Sequence, residues 1–256
     1  MTQRSGQAKI CKGCWQQMHL PIPLRGPLSL PFRMVGIRPS QMNPNLCTIC
    51  ELMFERVMKR RSIEIDTTIL FADIRGYTRL AQAMEPTELS RLLNFFYDEC
   101  AEAIWREDGL LNKVIGDAVL AIFNFPIRHA DHARKALSVA RDIQARCTER
   151  CKREFAGYGL DASELGIGIG IDSGLTTFGE FGHAHTDFTA VGSVVNLAAR
   201  LQSAAAPGEI LVSARAWQTS AGEGDAAERR QIVLKGYEAP HVVYACWPEP
   251  SPGPAL

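Results

Sequence analysis

The chain has no excess of either charge: Lys plus Arg and Asp plus Glu both count 28 in 256 residues. A protein that binds nucleic acid mainly through backbone electrostatics needs a basic stripe, and this balance argues against one. No apolar run approaches the roughly 20 residues needed to span a bilayer. The N-terminus also lacks the apolar stretch of a secretory signal. The expectation is a cytoplasmic protein with no membrane span and no nucleic-acid partner. In that compartment the eight cysteines read as metal ligands, redox groups or core residues rather than disulfides. The length suits one large domain, or a main domain with a small one.

What is present divides in two. Residues 1–50 are rich in proline, at 21, 23, 27, 31, 39 and 44, and hold no helical or strand period. Cys11-Lys12-Gly13-Cys14 opens this segment and Cys47-Thr48-Ile49-Cys50 closes it. Paired C-x-x-C knuckles point to a metal, because each presents two thiolates to one ion. The 32 residues between Cys14 and Cys47 exceed the spacing of common zinc ribbons. Zinc, an iron–sulfur cluster or free thiols all stay open, with His19 as a possible substitute ligand. A segment with so little core needs a staple, which favours a metal. Residues 51–65 read as a connecting helix, residues 66–247 as the main domain, and 248–256 as a disordered tail.

In the main domain, the apolar run Ile69–Ala72 ends in Asp73, and a turn with Gly76 leads into a helical pattern. A strand that stops at a carboxylate can hold a metal ligand still, although aspartates also end strands as turn formers or helix caps. Pro86 suits the first turn of a helix, and Leu89, Leu92, Leu93, Phe96, Cys100 and Ala103 follow at helical spacing. Two apolar runs around Gly116-Asp117 predict a hairpin. A second helix covers about Ala130–Cys151. From Leu165 to Ile171, isoleucines and leucine alternate with Gly166, Gly168 and Gly170, which predicts a strand whose glycine face admits a close neighbour. A third helix starts near Ser193 and short strands complete the domain. The order β-α-β-β-α-β is the ferredoxin-like split pattern, an α+β sheet covered by helices.

That topology can bring Asp117 to Asp73. Two carboxylates plus nucleotide phosphates are a usual way to hold Mg²⁺. On the third helix Val194, Leu197, Ala198, Leu201 and Ala205 share one face, and Asn196 and Arg200 lie together on the opposite one. These two are either solvated or aimed at a substrate, with Arg200 suited to phosphate oxygens.

The blocks F-A-D-I-R-G-Y-T (71–78), N-K-V-I-G-D-A-V-L-A-I-F (112–123), D-F-T-A-V-G-S-V-V-N-L-A-A-R-L (187–201) and V-L-K-G-Y (233–237) stand in this order in the chain. Together they resemble the successive signatures of class III nucleotidyl cyclase catalytic domains, over roughly Thr67 to Trp247. The resemblance implies that Asp73 and Asp117, with the carbonyl of Ile74, bind two Mg²⁺ or Mn²⁺ ions. It implies that Lys113 and Thr189 read adenine rather than guanine, that Asn196 positions the ribose, and that Arg200 stabilises the pentavalent phosphorus. Lys235 would hold the terminal phosphates, and the amides of Arg75, Gly76 and Tyr77 would cradle phosphate. The implied reaction converts ATP to 3′,5′-cyclic AMP in a homodimer with sites at the interface. A guanylate cyclase, or a nucleotide-binding regulator without activity, are the alternatives. Ser193 and the loop Gly179–His185 depart from the family pattern, and the cysteine segment lies outside it.

Overall fold

The structure is a computed structural model that describes residues 7–58, 62–155, 164–182, 187–220 and 227–247. The expected tail 248–256, and His183 to His185 of the departing loop, lie outside the described residues. The central sheet has the strand order β2-β3-β1-β4-β6-β8-β7, with β5 paired to β4. These strands are β1 (Ile63–Arg75), β2 (Leu110–Ile115), β3 (Ala118–Phe123), β4 (Gly166–Phe181), β5 (Asp187–Val191), β6 (Ile210–Ser213), β7 (Glu228–Ile232) and β8 (His241–Cys246). The β2-β3-β1-β4 part is the order of the ferredoxin-like unit. Among the described residues only β4–β6 is parallel; the other pairings are antiparallel.

Helices cover both faces. Leu70, Ala72 and Ile74 of β1 and Ile167, Ile169 and Ile171 of β4 pack against helix α5 (Pro86–Arg106), helix α6 (His132–Phe155) and helix α8 (Ala214–Ser220). Alternation turns Ile69, Phe71 and Asp73 to the opposite face, where helix α7 (Ser193–Ala204) lies. Pro86 stands in the first turn of α5, where its missing N–H costs nothing. The β2–β3 hairpin turns at Gly116, whose φ of +60° suits a residue without Cβ.

The glycine face of β4 has its close neighbour. A Cβ on Gly170 would lie 2.1 Å from the backbone nitrogen of Gln202 and 2.3 Å from the carbonyl of Ala198, so α7 rests directly on the strand. Gln202 of α7 then meets β1 at close range.

The front segment is more ordered than its proline content suggests. It contains helix α1 (Lys12–Met18), a 3₁₀ turn (Pro27–Ser29), helix α2 (Leu30–Met34) and helix α3 (Thr48–Met58). A small core of its own joins Leu24, Leu46 and the four cysteines to Ile127 of the main domain. The boundaries differ from the expected 51–65 connecting helix: α3 starts at Thr48, and β1 starts at Ile63. The second knuckle makes the first helical turn itself, the amide of Glu51 bonding to the carbonyl of Cys47 at 3.1 Å. No helix among the described residues is long and apolar enough to cross a membrane.

Candidate active site

β1 and the β2–β3 hairpin bring Asp73 and Asp117 together. Asp73 pairs in register with Ala118, and the amide of Ile74 donates to the carbonyl of Asp117 at 3.3 Å. Burial, reinforced by the hydrogen-bonded and like-charged Asp117, pushes the Asp73 carboxyl up to about 7. The Tyr97 hydroxyl of α5 donates to the carbonyl of Gly116 and holds the turn from the other side.

α7 and β1 enclose Asp73 further. The Gln202 amide donates to Asp73 Oδ2 at 2.8 Å. The Arg75 guanidinium lies 3.5 Å from the same oxygen and donates to the Gln202 carbonyl. It fills the space over Gly168, where a Cβ would collide with it. Its Nε is buried and has no hydrogen-bond partner. Burial lowers the Arg75 pKa, while Asp73, Asp117 and Glu209 oppose the shift. Sequence reasoning assigned Arg75 an amide only and missed the roles of Gln202 and Tyr97. The available signal was Gln202 itself, a polar residue only about 40° from Ala198 on the wheel, at the edge of the apolar face.

The base-reading residues expected from sequence meet at the β2–β5 boundary. Lys113 pairs with Asp187. Thr189 donates to Asn112 Oδ1 at 2.9 Å, and Asn112 Nδ2 donates to the carbonyl of Phe188 at 2.9 Å. Asn196, Arg200 and Lys235 are exposed. Their side chains make no hydrogen bond or ion pair with other described residues. Gly76 takes a φ of +77° and starts helix α4 (Tyr77–Ala83). The amides of Arg79 and Leu80 bond to its carbonyl, which leaves the amides of Tyr77 and Thr78 outside the helix's own ladder.

The donor set at Asp73 and Asp117 fits a hard divalent cation. It offers oxygens only, two adjacent carboxylates, and a proton held near neutrality that a cation would displace.

The four knuckle cysteines also come together. All four sulfurs lie within 4.8 Å of one another and all four residues are buried. His19 is exposed and stands apart from this group. Cys14 Sγ is 3.5 Å from Cys47 Sγ and 3.4 Å from Cys50 Sγ, and Cys11 Sγ is 3.6 Å from Cys50 Sγ.

A family model for the adenylate and guanylate cyclase catalytic domain matches residues 60–246. The chain belongs to this family. It is 35% identical over 136 residues to an adenylate cyclase of Anabaena cylindrica, covering 53% of this chain and 26% of that protein. It is 33% identical over 182 residues to an uncharacterized protein of Mycobacterium tuberculosis, covering 69% and 32%. It thus spans between a quarter and a third of the length of these relatives. Among solved structures, the guanylyl cyclase Cya2 superposes with a TM-score of 0.65 at 26% identity, covering 75% of this chain and 97% of Cya2. The adenylyl cyclase CyaB from P. aeruginosa gives 0.63 at 30% identity, with 72% and 95% covered. Residues 66–246 are therefore a nucleotidyl cyclase catalytic domain of α+β class. The four cysteines lie before the matched region.

Proposed function

We propose that the chain is an adenylate cyclase whose site is completed by a second copy. The observation that carries the two-chain reading is on α7. Gln202 faces Asp73, and at about 100° per residue Arg200 points roughly 200° away from it. A chain whose α7 rests on its own β4 in this way offers Asn196 and Arg200 to a neighbour rather than to its own carboxylates. A C2 dimer would pair each Asp73–Asp117 half-site with the Asn196 and Arg200 of the other copy, giving two equivalent sites.

In the proposed reaction the ribose 3′-hydroxyl of ATP loses its proton and the oxygen attacks the α-phosphorus. The bond to the bridging β-oxygen breaks, and 3′,5′-cyclic AMP and pyrophosphate result. Asp73, Asp117 and the Ile74 carbonyl would hold two Mg²⁺ or Mn²⁺ ions, which supply Lewis-acid activation of the hydroxyl and charge neutralisation at the leaving group. Asn196 orients the ribose, and Arg200 donates to the α-phosphoryl oxygens as charge develops there. Lys235 pairs with the terminal phosphates, and the amides at Arg75–Tyr77 support them. Catalysis here is mostly positioning and electrostatics. The reading includes control of this output by the cysteine-bearing segment.

Base choice rests on Lys113 and Thr189. Lys113 can donate to adenine N1, and the Thr189 hydroxyl can accept from the exocyclic amine. One observation favours a second reading. Asp187 beside Lys113 is an acceptor that guanine N1–H could use. A cyclase assay with ATP and GTP on the purified chain tests both. Faster turnover of ATP supports the adenylate reading, and faster turnover of GTP overturns the Lys113–Thr189 assignment. No turnover of either, with Mg²⁺ or Mn²⁺, overturns the enzyme reading.

A further inference from the structure

The cysteine cluster has a geometry that separates the metal classes. Zn–S bonds of about 2.3 Å place neighbouring sulfurs of a tetrahedral site about 3.8 Å apart. The separations of 3.4 to 3.6 Å, and the 4.8 Å limit over all four sulfurs, match one shared ion. A multi-iron cluster bonds its cysteines to different iron atoms and holds their sulfurs further apart. The amides of Cys14 and Cys47 also point at Cys11 Sγ, at 3.4 and 3.2 Å. Such N–H donors stabilise a thiolate ligand and fix its direction. Four buried thiolates with no open position make a closed site of the structural kind.

The knuckles are also wired to the catalytic domain. Lys12 lies between Cys11 and Cys14, and its Nζ reaches Asp108 Oδ2 at 2.5 Å. Asn45, two residues before Cys47, donates to Asp108 Oδ1 at 2.8 Å and to the carbonyl of Trp105 at 3.0 Å. Asn43 donates to the carbonyl of Gly109 at 2.8 Å, and the Trp105 indole donates to the carbonyl of Met42 at 3.0 Å. Asp108 is almost wholly buried, carries a φ of +62°, and receives a third contact from His129 at 2.9 Å. Both knuckles therefore grip residues 105–109. These residues form the joint between α5 and β2, four positions before Lys113 and eight before Asp117.

We infer that Cys11, Cys14, Cys47 and Cys50 hold one zinc-class ion as a closed tetrathiolate site, and that this ion fixes the α5–β2 joint from which the hairpin bearing Lys113 and Asp117 extends. The ion-binding half is independent of the cyclase reading; the consequence for turnover rests on it.

The test uses the full chain. Elemental analysis of the purified protein should give about one zinc per chain. Cobalt exchange should give the visible bands of tetrahedral thiolate-bound Co²⁺. Cys14→Ser and Cys47→Ser should each lose that signature. Iron with acid-labile sulfide, or a folded chain that takes up neither zinc nor cobalt, would overturn the single-ion assignment. The cobalt measurement on the unmutated chain keeps the test valid where a cysteine variant fails to fold. For the joint, amide exchange over residues 105–110 should be slow in the loaded chain and at least about tenfold faster after chelation. Asp108→Asn should retain zinc but show the same faster exchange. Unchanged exchange after metal loss would overturn the coupling. These readouts do not use turnover, so an inactive cyclase and a metal-free module give different results.

Discussion

The Gln202 amide donates to the Asp73 carboxylate at 2.8 Å and links α7 to the end of β1. One face of α7 therefore supports the proposed metal half-site of its own chain, while the other presents Asn196 and Arg200 outward. A hydrogen bond to a charged group contributes about 1.5–3 kcal/mol. Gln202→Ala should cost about tenfold in turnover when divalent metal is limiting, and part of the loss should return at high metal. Steady-state rates across a Mg²⁺ titration check this; an unchanged metal requirement would remove Gln202 from the site.

Asp73 gives a pH signature. Its carboxyl rises from 3.8 in the free residue to about 7 in the fold. A raised carboxyl means that the folded chain keeps a proton the unfolded chain has lost. Without metal, this group stabilises the fold relatively less as pH rises from about 4 to about 7. Binding a cation requires the carboxylate, so the rise in Tm on adding Mg²⁺ should grow over that window and level off above it. Asp73→Asn should abolish both the Mg²⁺ effect and turnover. A Mg²⁺ shift in Tm that does not vary with pH would contradict the assignment.

Two glycines of β4 should differ sharply. At Gly170 an added Cβ meets the fixed backbone of α7, whereas at Gly168 it meets the guanidinium of Arg75. Gly170→Ala should lower unfolding free energy by at least about 3 kcal/mol, since the helix must lift. Gly168→Ala should cost about 1 kcal/mol in stability and mainly move Arg75 away from Asp73. Urea unfolding of the two variants decides, and equal losses would refute the contrast.

The proposed two-chain site predicts complementation. Asp73→Asn and Arg200→Ala chains should each be inactive alone. Mixed and allowed to exchange, half of the dimers carry one intact site of two, so about one quarter of unmutated activity should return. Failure to recover activity, with exchange shown by differently tagged chains, would argue for a site within one chain.

His132 sets a different pH response. Its Nδ1 shares a 2.7 Å hydrogen bond with Thr68 Oγ1, which in turn contacts Ser173. Burial lowers its pKa below the usual 6.5, with Asp66 and Asp131 opposing and His129 assisting. The group contributes stability that is present above about pH 6.5 and lost as the pH falls below it, because only the unfolded chain then gains the proton. The difference in Tm between the unmutated chain and His132→Gln should shrink from about pH 7.5 to about pH 5. A constant difference would show that His132 does not titrate in this way.

Much of this was legible in the sequence because its signals are local. The alternation at 165–171, the Gly116-Asp117 turn and the periodicity after Pro86 each fix an element, and their order fixes the ferredoxin-like core. Asp73 and Asp117 could be paired from topology alone. Gln202 and the side chain of Arg75 were not legible as site groups, since their roles depend on how closely α7 presses on β4. The same applies to Asp108. Its function as the anchor of Lys12 and Asn45 comes from pairings 96 and 63 residues apart in the chain. The order in the front segment was also hidden, because a core built around sulfurs leaves no apolar period to read.

β1 runs for 13 residues and is paired along its whole length with β4 on one edge and, from Thr68 to Asp73, with β3 on the other. A strand held on both edges cannot slide by a fraction of a step. The smallest slip that keeps Leu70 and Ala72 on their own face is two residues, about 7 Å, and it would break both ladders together. β1 thus acts as an anchor for Asp73. On the inference above, what the front segment can bias is instead the joint at residues 105–109, which Lys12, Asn43 and Asn45 hold.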